Sequence, residues 1–367
     1  MKYRIGITLI KGIGNALAKN LIAYLGSAEA VFCEKQTALA KIPGIGEVLS
    51  REIVNQNILK RAEEEIAFIE KNKITPLYFT EKTYPYRLKE CSDAPVILYN
   101  KVNCDLNGSK IIAVVGTRNA TQEGKENCVK MIADLAATFP ETIVVSGLAY
   151  GVDICAHKAA LDSGLATVGV VGHGLDRIYP PAHRSTAVKM LGGGGLVTEY
   201  MSGTNPDRQN FVQRNRIIAG LSDATVVVES AISGGALITA NTANDYNRDV
   251  FAFPGRVGDV FSGGCNALIK NNIAALIENA EDLFRAMNWE KNAAKSTQNA
   301  QPLLFTDLTD DEQTIAGILR QNSEGLQLNE LAIQSGKPVS KVSPLLLQME
   351  FKNVVKCYPG NIYRIVR

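Results

Sequence analysis

Arginine residues and glycine-rich turns that follow short hydrophobic runs are the parts of this sequence best suited to chemistry. The turn GTR (116–118) follows IIAVV, the turn SGLAYGVD (146–153) follows TIVV, and SGGALITA (233–240) follows ATVVVES. Glycine-rich turns that begin a helix present bare N–H groups at the positive end of its dipole, where an anion binds. Guanidinium groups have the planar fork that suits phosphate, and the arginines concerned are Arg118, Arg214 and Arg216. Together they predict a cradle for several phosphates or for a nucleic-acid backbone.

One pair of residues in these turns suggests catalysis. Asp153 and His157 are four residues apart on one predicted helix, so they can contact each other. They could form a catalytic dyad, but we favour a hydrogen-bonded pair that steadies the turn. The sequence contains no GxGxxG, GxxxxGK[ST] or HExxH motif and no GxSxG elbow. Its three histidines lack metal-ligand spacing, so we expect no metal, no cofactor and no catalytic residue.

Six short β-branched runs must position these turns. They cover residues 111–116, 142–147, 166–172, 196–200, 224–230 and 249–254. The runs are continuously apolar rather than alternating, which predicts strands that are covered on both faces. Because amphipathic segments separate them, the fold class is α/β, with a Rossmann-like, doubly wound, mostly parallel sheet. Ligands of such sheets bind beyond the carboxyl ends of the strands, which is where the turns lie.

Arg214 and Arg216 cannot both serve this edge. They are two residues apart in FVQRNRIIAGLS (211–222), and residues at this spacing do not share a helix face. We therefore expect at least one of them to brace the sheet by pairing with Glu199 or Glu229.

Two Gly-Ile-Gly turns about thirty residues apart mark the N-terminal block. Each is flanked by helix-like runs, and the glycines permit positive φ and leave N–H groups free at the start of the next helix. The pair resembles tandem helix-hairpin-helix motifs, a family that grips DNA backbones without reading sequence. A small helical bundle with GIG turns as simple connections is the alternative. The glycines predicted to contact a DNA backbone are Gly12, Gly14, Gly44 and Gly46.

The C-terminal block follows a polar stretch at 289–305 that is typical of a linker. Helices are predicted at 310–322, 326–336 and 340–351, followed by a hairpin across Pro359-Gly360. This order resembles a winged helix. The block carries no net charge, so we expect a protein-contact or auxiliary role rather than sequence-specific DNA reading.

Composition limits the remaining classes. The chain has 367 residues and a net charge of +2, so a polyanion site must be a local cluster rather than a basic face. Its seven cysteines form no CxxC pair, which favours a reducing cytosol. We expect no membrane segment and no secretory signal. The predicted domains are 1–65, 66–288 and 306–367, with 289–305 as the linker.

Seven motifs in order resemble the bacterial DNA-processing protein A family, also called DprA or Smf. The motifs are VVGTR, SGLAYGVDICAH, GHGLDRIYP, LVTEY, FVQRNRIIAGLS, SGGALITA and FPGR. The upstream segments YPYRL (84–88) and APVILY (94–99) also fit, so the resemblance covers roughly residues 80–285. It implies a non-enzymatic, cytoplasmic homodimer that binds single-stranded DNA, protects incoming strands and loads the recombinase RecA during natural transformation.

The family's strand-binding pocket, carried over by position, implicates Arg118, the Ser146-Gly147 turn with Gly151, and the stretch 214–216. Family members often have a basic residue where this chain has Tyr150, whose ring could stack on a base or pack in the protein. Tyr179 and Phe211 are further stacking candidates. The full predicted set is Gly116, Arg118, Ser146, Gly147, Tyr150, Gly151, Arg214, Asn215, Arg216, Gly234, Gly235 and Lys270.

Two other functions compete with strand binding. A nucleotide phosphoribohydrolase would use a related Rossmann-like fold and a PGGxGTxxE motif. The corresponding stretch here is SGGALITAN (233–241), in which Asn241 replaces the glutamate that stabilises an oxocarbenium ion. A transcription regulator would act through the C-terminal block, and duplex binding by residues 306–367 alone would support that function.

Overall fold

The computed structural model describes residues 1–55, 57–289, 308–322, 325–352, 354–358 and 361–365 of the chain. The chain divides into two compact units, Met1–Asn292 and Ala293–Arg367. Among the described residues, no helix combines the length and the apolar character that a bilayer crossing needs.

Helices make up the N-terminal part of the first unit. They are α1 (Lys2–Leu9), α2 (Asn15–Leu25), α3 (Ala28–Cys33), α4 (Gln36–Leu39), α5 (Glu47–Val54) and α6 (Ile58–Asn72). The predicted boundary between residues 65 and 66 falls inside α6, so that helix continues past it. The boundaries of the domains stay a prediction.

A nine-stranded sheet forms the centre of this described unit. Its strands are β1 (Thr75–Tyr78), β2 (Ile97–Val102), β3 (Ile111–Val115), β4 (Ile143–Ser146), β5 (Ala166–Val170), β6 (Gly195–Thr198), β7 (Ala224–Val227), β8 (Asp249–Ala252) and β9 (Ala275–Leu276). The order across the sheet is β1-β2-β6-β5-β4-β3-β7-β8-β9. Across the sheet from β6 to β9, each strand pairs in parallel with its neighbour. β1 and β2 pair antiparallel with each other, and β2 pairs antiparallel with β6, so they add an antiparallel edge.

The predicted doubly wound sheet is confirmed by the packing of its two faces. Alternate residues of β3 enter different clusters, Ile111 and Val115 on one face and Ile112 and Val114 on the other. The helices that surround the sheet are α7 (Tyr86–Lys89), α8 (Gln122–Thr138), α9 (Val152–Asp162), α10 (Arg184–Met190), α11 (Arg208–Leu221), α12 (Gly235–Asp245), α13 (Gly263–Lys270) and α14 (Ala280–Ala286). All six predicted strands are present, and β1, β2 and β9 were not predicted.

The N-terminal helices share a hydrophobic core with one end of the sheet. Ile5 and Leu21 of the helices belong to the same buried cluster as Tyr78 of β1 and Ile97 and Tyr99 of β2. Because the cluster is continuous, the helices and the antiparallel edge stabilise each other by burying apolar surface together.

The two Gly-Ile-Gly turns pack reciprocally. Gly12 and Gly44 have φ values of +82° and +85°, so the predicted positive φ occurs at the first glycine of each turn. A Cβ on Gly12 would lie 2.8 Å from Leu49 of α5, and one on Gly44 would lie 3.0 Å from Leu17 of α2. Each turn thus packs against the helix that follows the other turn. The second glycines, Gly14 and Gly46, directly precede α2 and α5, and a Cβ on either would meet no atom within 4 Å, so the surface there is open.

The second unit combines three described helices with a small antiparallel sheet. The helices are α15 (Asp310–Gln321), α16 (Leu328–Ser335) and α17 (Val339–Phe351), and the strands are β10 (Leu326–Gln327), β11 (Val355–Tyr358) and β12 (Ile362–Ile365). The strand order is β10-β12-β11. The helix predicted at 326–336 is shorter, because its first two residues form β10. Lys352, which follows α17, pairs with the buried Glu312 at 2.9 Å.

Only one residue of the predicted linker belongs to the described part of the chain. The ring of Trp289 packs on that of Phe139 with 5.5 Å between centroids. The rest of the predicted linker, 290–305, lies outside the described residues.

Candidate nucleic-acid interface

The predicted turns meet where the strand order reverses. β3 lies between β4 and β7, so the chain crosses the sheet in opposite directions on the two sides of β3. Such a reversal opens a crevice beyond the carboxyl ends of the strands. A cavity of about 520 Å³ occupies this position. Residues that line this crevice include Gly116, Arg118, Arg208, Asn215, Gly234 and Gly235.

Close backbone contacts hold two of these turns together. The N–H of Val152 donates to the carbonyl of Thr117 at 3.1 Å. Gly151 has a φ of +76°, and a Cβ there would lie 2.1 Å from the same carbonyl oxygen. A Cβ on Gly116 would lie 2.3 Å from the side chain of Val152. Glycine is therefore required at both positions, and these residues shape the wall of the crevice rather than only exposing N–H groups.

Arg118 stands on the loop between these contacts. Its neighbour Thr117 donates its N–H to the carbonyl of Glu229 at 2.7 Å, and Thr121 at the far end of the loop donates its N–H to the Glu229 carboxylate at 2.8 Å. Thr121 also caps α8, accepting the N–H of Gly124. Arg118 itself is exposed and makes no ion pair with any described residue. The loop is fixed while its guanidinium stays available to a ligand.

Arg214 lies under the crevice rather than at its mouth. It is 4% exposed and donates to the carbonyl of Val170. A Cβ on Gly147 would lie 2.2 Å from the Asp153 carboxylate and 2.4 Å from the Arg214 guanidinium, so the glycine makes room for both groups. Burial lowers the pKa of Arg214 and raises the pKa of Asp153, and the opposite charge of each opposes the other's shift. A buried cation thus forms the floor of the crevice.

The hydrogen-bonded pair predicted for Asp153 and His157 is wrong. His157 is fully buried, with Nδ1 2.7 Å from the Thr167 hydroxyl and Nε2 against the carbonyl of Gly147. Asp153 instead accepts the N–H of Ala149 at 3.3 Å. Both side chains steady the turn, but through separate backbone partners, and burial lowers the pKa of His157 to about 4.

Three predicted contact residues lie elsewhere or are engaged. Ser146 is fully buried and donates its hydroxyl to the carbonyl of Val114 at 2.6 Å, so it belongs to the sheet. Arg216 does not line the crevice, nor does it line a smaller cavity that lies next to the crevice. It pairs with Glu199, as expected for one of the two arginines, and donates to the carbonyl of Asp93 at 2.8 Å. Lys270 is the last residue of α13 and does not line the crevice.

Aromatic rings surround a second, smaller cavity that opens beside the crevice. This cavity, the aromatic pocket, has a volume of about 100 Å³ and shares Arg118, Phe211 and Arg214 with the crevice. Tyr150 is 51% exposed at its rim, with its ring 4.7 Å from that of His183. Tyr179 packs on Phe211 with 5.7 Å between ring centroids. All three predicted stacking rings therefore lie around one pocket next to the arginines.

Sequence reasoning missed Arg208, the first residue of α11. It is exposed and, like Arg118, lines the crevice. The signal was its spacing: Arg208, Phe211 and Asn215 are three and seven residues apart, which places them on one helix face.

No group of three or more metal-ligating side chains occurs among the residues that the structure describes. Asn241, at the position of the glutamate in a phosphoribohydrolase motif, is exposed on α12 and donates its amide to the carbonyl of Leu237 at 2.8 Å.

Comparison with known proteins places these features in a family. The family model of DNA recombination-mediator protein A matches residues 75–288. Protein Smf of Escherichia coli K12 is 32% identical over 84% of this chain and 82% of its own length. DNA processing protein DprA of Streptococcus pneumoniae is 42% identical over 55% of this chain and 70% of its own.

Two solved structures share the fold. DNA processing protein A from Streptococcus pneumoniae superposes with a TM-score of 0.66 at 33% identity, covering 78% of this chain and 97% of that one. DNA processing protein A from Helicobacter pylori, described with a single-stranded DNA binding mode, gives a TM-score of 0.51 at 26% identity, covering 59% of this chain and 96% of its own.

Proposed function

Because the chain belongs to the DNA recombination-mediator protein A (DprA/Smf) family, we propose that its crevice binds single-stranded DNA without cleaving it. The observation that carries this proposal is the placement of two exposed arginines, Arg118 and Arg208, over a crevice that opens directly into the aromatic pocket. A naked strand presents phosphates and unstacked bases together, and cations beside aromatic rings match both.

In this proposal each component of the site has its own part. Arg118 and Arg208 bind phosphates, and the first-turn N–H groups of α12 at Gly235 and Ala236 add further donors, whereas the N–H of Gly234 already donates to the carbonyl of Ala231. Bases stack on Tyr150 and Tyr179, because every base has a π-face. The buried Arg214 contributes positive potential from below, where the low dielectric strengthens its effect.

The names of the relatives support the cellular role that we propose. The relatives are named DNA processing proteins, and the Helicobacter pylori structure is described as binding single-stranded DNA. This protein accordingly protects incoming single strands and loads RecA onto them in natural transformation, as a cytoplasmic homodimer without catalytic residues. The phosphoribohydrolase alternative is weaker, because its motif glutamate is replaced by Asn241, whose amide donates to the carbonyl of Leu237.

The flanking regions serve the same activity. The N-terminal helices act as tandem helix-hairpin-helix motifs whose turns contact a DNA backbone. The open surface at Gly14 and Gly46, each directly before a helix, supports this role. The second unit acts as a winged-helix-like auxiliary domain that contacts proteins, because its Lys352 is neutralised by Glu312.

A binding comparison tests the proposal. Fluorescence anisotropy with labelled oligothymidylate and with a duplex of equal length should show preference for the single strand, and RecA filament formation should be faster with the protein present. Arg118→Glu should abolish both effects, whereas Lys130→Glu, the same charge reversal on an exposed α8 residue, should not. If Arg118→Glu bound the strand as tightly as the unsubstituted protein, the crevice would not be the binding site. Light scattering tests the homodimer separately, and a monomer mass would contradict that part of the proposal.

A further inference from the structure

A second concave surface, distinct from the crevice and the aromatic pocket, runs along β2. It consists of two adjoining cavities of about 190 and 180 Å³. The two share Lys101 and Leu191 in their walls, so they form one continuous trough. We call this surface the basic trough.

Cations dominate the walls of the basic trough. Lys73, Lys101 and Arg184 make no ion pair with any described residue. Arg177 is held by Asp176 and by the Asn205 side chain at 2.8 Å. The aliphatic side chains of Ile178 and the buried Leu196 form its floor, and the exposed Val188 also lines it. Three unpaired cations over an apolar floor attract a polyanion that also carries apolar surface.

The basic trough adjoins the aromatic pocket through two short pieces of chain. Ile178 of the trough is followed directly by Tyr179 of the pocket. Arg184 of the trough follows His183, whose ring contacts Tyr150 at the rim of the pocket. A strand that left the pocket over Tyr150 would reach the segment of chain that carries Arg184.

We propose that the basic trough holds the continuation of the same DNA strand, so that the strand passes from the crevice, over Tyr150, and onto Arg184 and Lys101. This inference rests on the proposed function, since it extends the path of the strand that the crevice binds. The unpaired cations contact phosphates, and the apolar floor takes the faces of bases.

Dependence on oligonucleotide length tests this extension. Affinity of the unsubstituted protein should increase from a short oligothymidylate that fills only the crevice to a longer one that also reaches the trough. Lys101→Glu/Arg184→Glu should bind the short oligonucleotide normally but lose roughly tenfold or more of its affinity for the long one at 0.1 M salt. The log–log salt slope for the long oligonucleotide should shrink by about 1.4, which corresponds to two lost phosphate contacts.

Two further double variants keep this test decisive. Lys130→Glu/Lys158→Glu reverses the same amount of charge on exposed residues of α8 and α9 outside the crevice and the trough, and it should leave the length dependence intact. Lys101→Gln/Arg184→Gln should give about half the effect without adding negative charge.

Two outcomes would overturn the trough: the Lys101/Arg184 charge reversal binds long oligonucleotides as tightly as the unsubstituted protein, or it weakens short and long binding equally. If the unsubstituted protein fails to bind even the short oligonucleotide, the proposed function fails, and the trough fails with it.

Discussion

The carboxylate of Glu229 accepts two hydrogen bonds from Thr121, one from the backbone N–H at 2.8 Å and one from the hydroxyl at 2.7 Å. Its backbone carbonyl accepts the N–H of Thr117 at 2.7 Å. Arg118 lies between these two attachment points. One residue at the end of β7 therefore fixes both ends of the loop that carries the arginine.

Glu229→Gln should weaken this attachment. The amide offers one acceptor oxygen where the carboxylate offers two, and its NH₂ group would face a donor on Thr121. A buried donor left unsatisfied costs about 1–3 kcal/mol, so urea unfolding should show a loss of that size, and anisotropy should show weaker single-strand binding. Glu123→Gln, an exposed change in the first turn of α8, is the control. In an Arg118→Ala background, Glu229→Gln should cause no further loss of strand binding. If the losses from the two substitutions simply added, Glu229 would not act by positioning Arg118.

Two arginines of α11 should respond in opposite ways. Arg208→Ala removes an exposed crevice cation, so the log–log salt slope of strand binding should shrink by about 0.7 while stability stays constant. Arg216→Ala removes the cation that pairs with the largely buried Glu199, which keeps only a long hydrogen bond from the Asn15 amide at 3.5 Å among its contacts with described residues, and should cost about 3–5 kcal/mol of unfolding free energy, with the salt slope unchanged. Salt titration and urea unfolding of both variants separate the two roles, and a smaller slope for Arg216→Ala would contradict its placement.

Tyr150 should act through its ring. Tyr150→Ala should cost about 1–3 kcal/mol of single-strand affinity, the usual contribution of one stacked base, whereas Tyr150→Phe should bind almost normally. Tyr24→Ala, which removes a 62% exposed ring from α2, serves as the matched control. Equal losses for the Phe and Ala variants would mean that the hydroxyl, not the ring, contacts the strand.

Gly151 and Gly164 separate backbone strain from steric clash. Both have positive φ, +76° and +77°, but only a Cβ on Gly151 meets an atom, the Thr117 carbonyl oxygen at 2.1 Å. Gly164→Ala should cost about 1–2 kcal/mol, the penalty of a left-handed conformation, and keep strand binding. Gly151→Ala should cost more and displace the Arg118 loop. Thermal unfolding measures the stability cost, and anisotropy measures strand binding. If Gly151→Ala and Gly164→Ala cost the same stability, the close contact between Gly151 and the Thr117 carbonyl would contribute nothing.

His157 should make stability depend on pH. Burial lowers its pKa from 6.5 to about 4, so between these values the unfolded chain binds a proton that the folded chain does not. Stability from this residue is complete above pH 6.5 and is lost as the pH falls toward 4, by about 3 kcal/mol. Urea unfolding between pH 4.5 and 7 should show a steeper decline for the unsubstituted protein than for His157→Asn. The difference isolates His157 from Asp153, whose raised pKa acts in the opposite direction.

The sheet and the location of the site were predictable because they depend on local patterns. Continuously apolar β-branched runs defined six strands, and the carboxyl edge of a parallel sheet gathers the turns that follow them. β1 and β2 were missed, since their pairing joins the sheet to its N-terminal helices through contacts distant in sequence. The core that Tyr78 and Ile97 form with those helices leaves no periodic signal.

Which polar side chains face the ligand was less predictable. Spacing showed that only one of Arg214 and Arg216 could point toward the sheet edge, but not which one. The choice depends on Glu199, which follows β6 and comes close to α11 only in the folded chain. The burial of Ser146 was not predictable, because a hydroxyl at a strand end looks the same in sequence whether it meets a ligand or the neighbouring carbonyl of Val114.

The shared core at the antiparallel edge has a practical consequence for anyone who shortens this protein. A fragment that starts at Thr75, where the family match begins, would leave the apolar surface of Ile97 and Tyr99 in contact with water. Such a fragment would associate through that bare surface and precipitate, and oligonucleotide assays on it would report aggregate rather than the crevice.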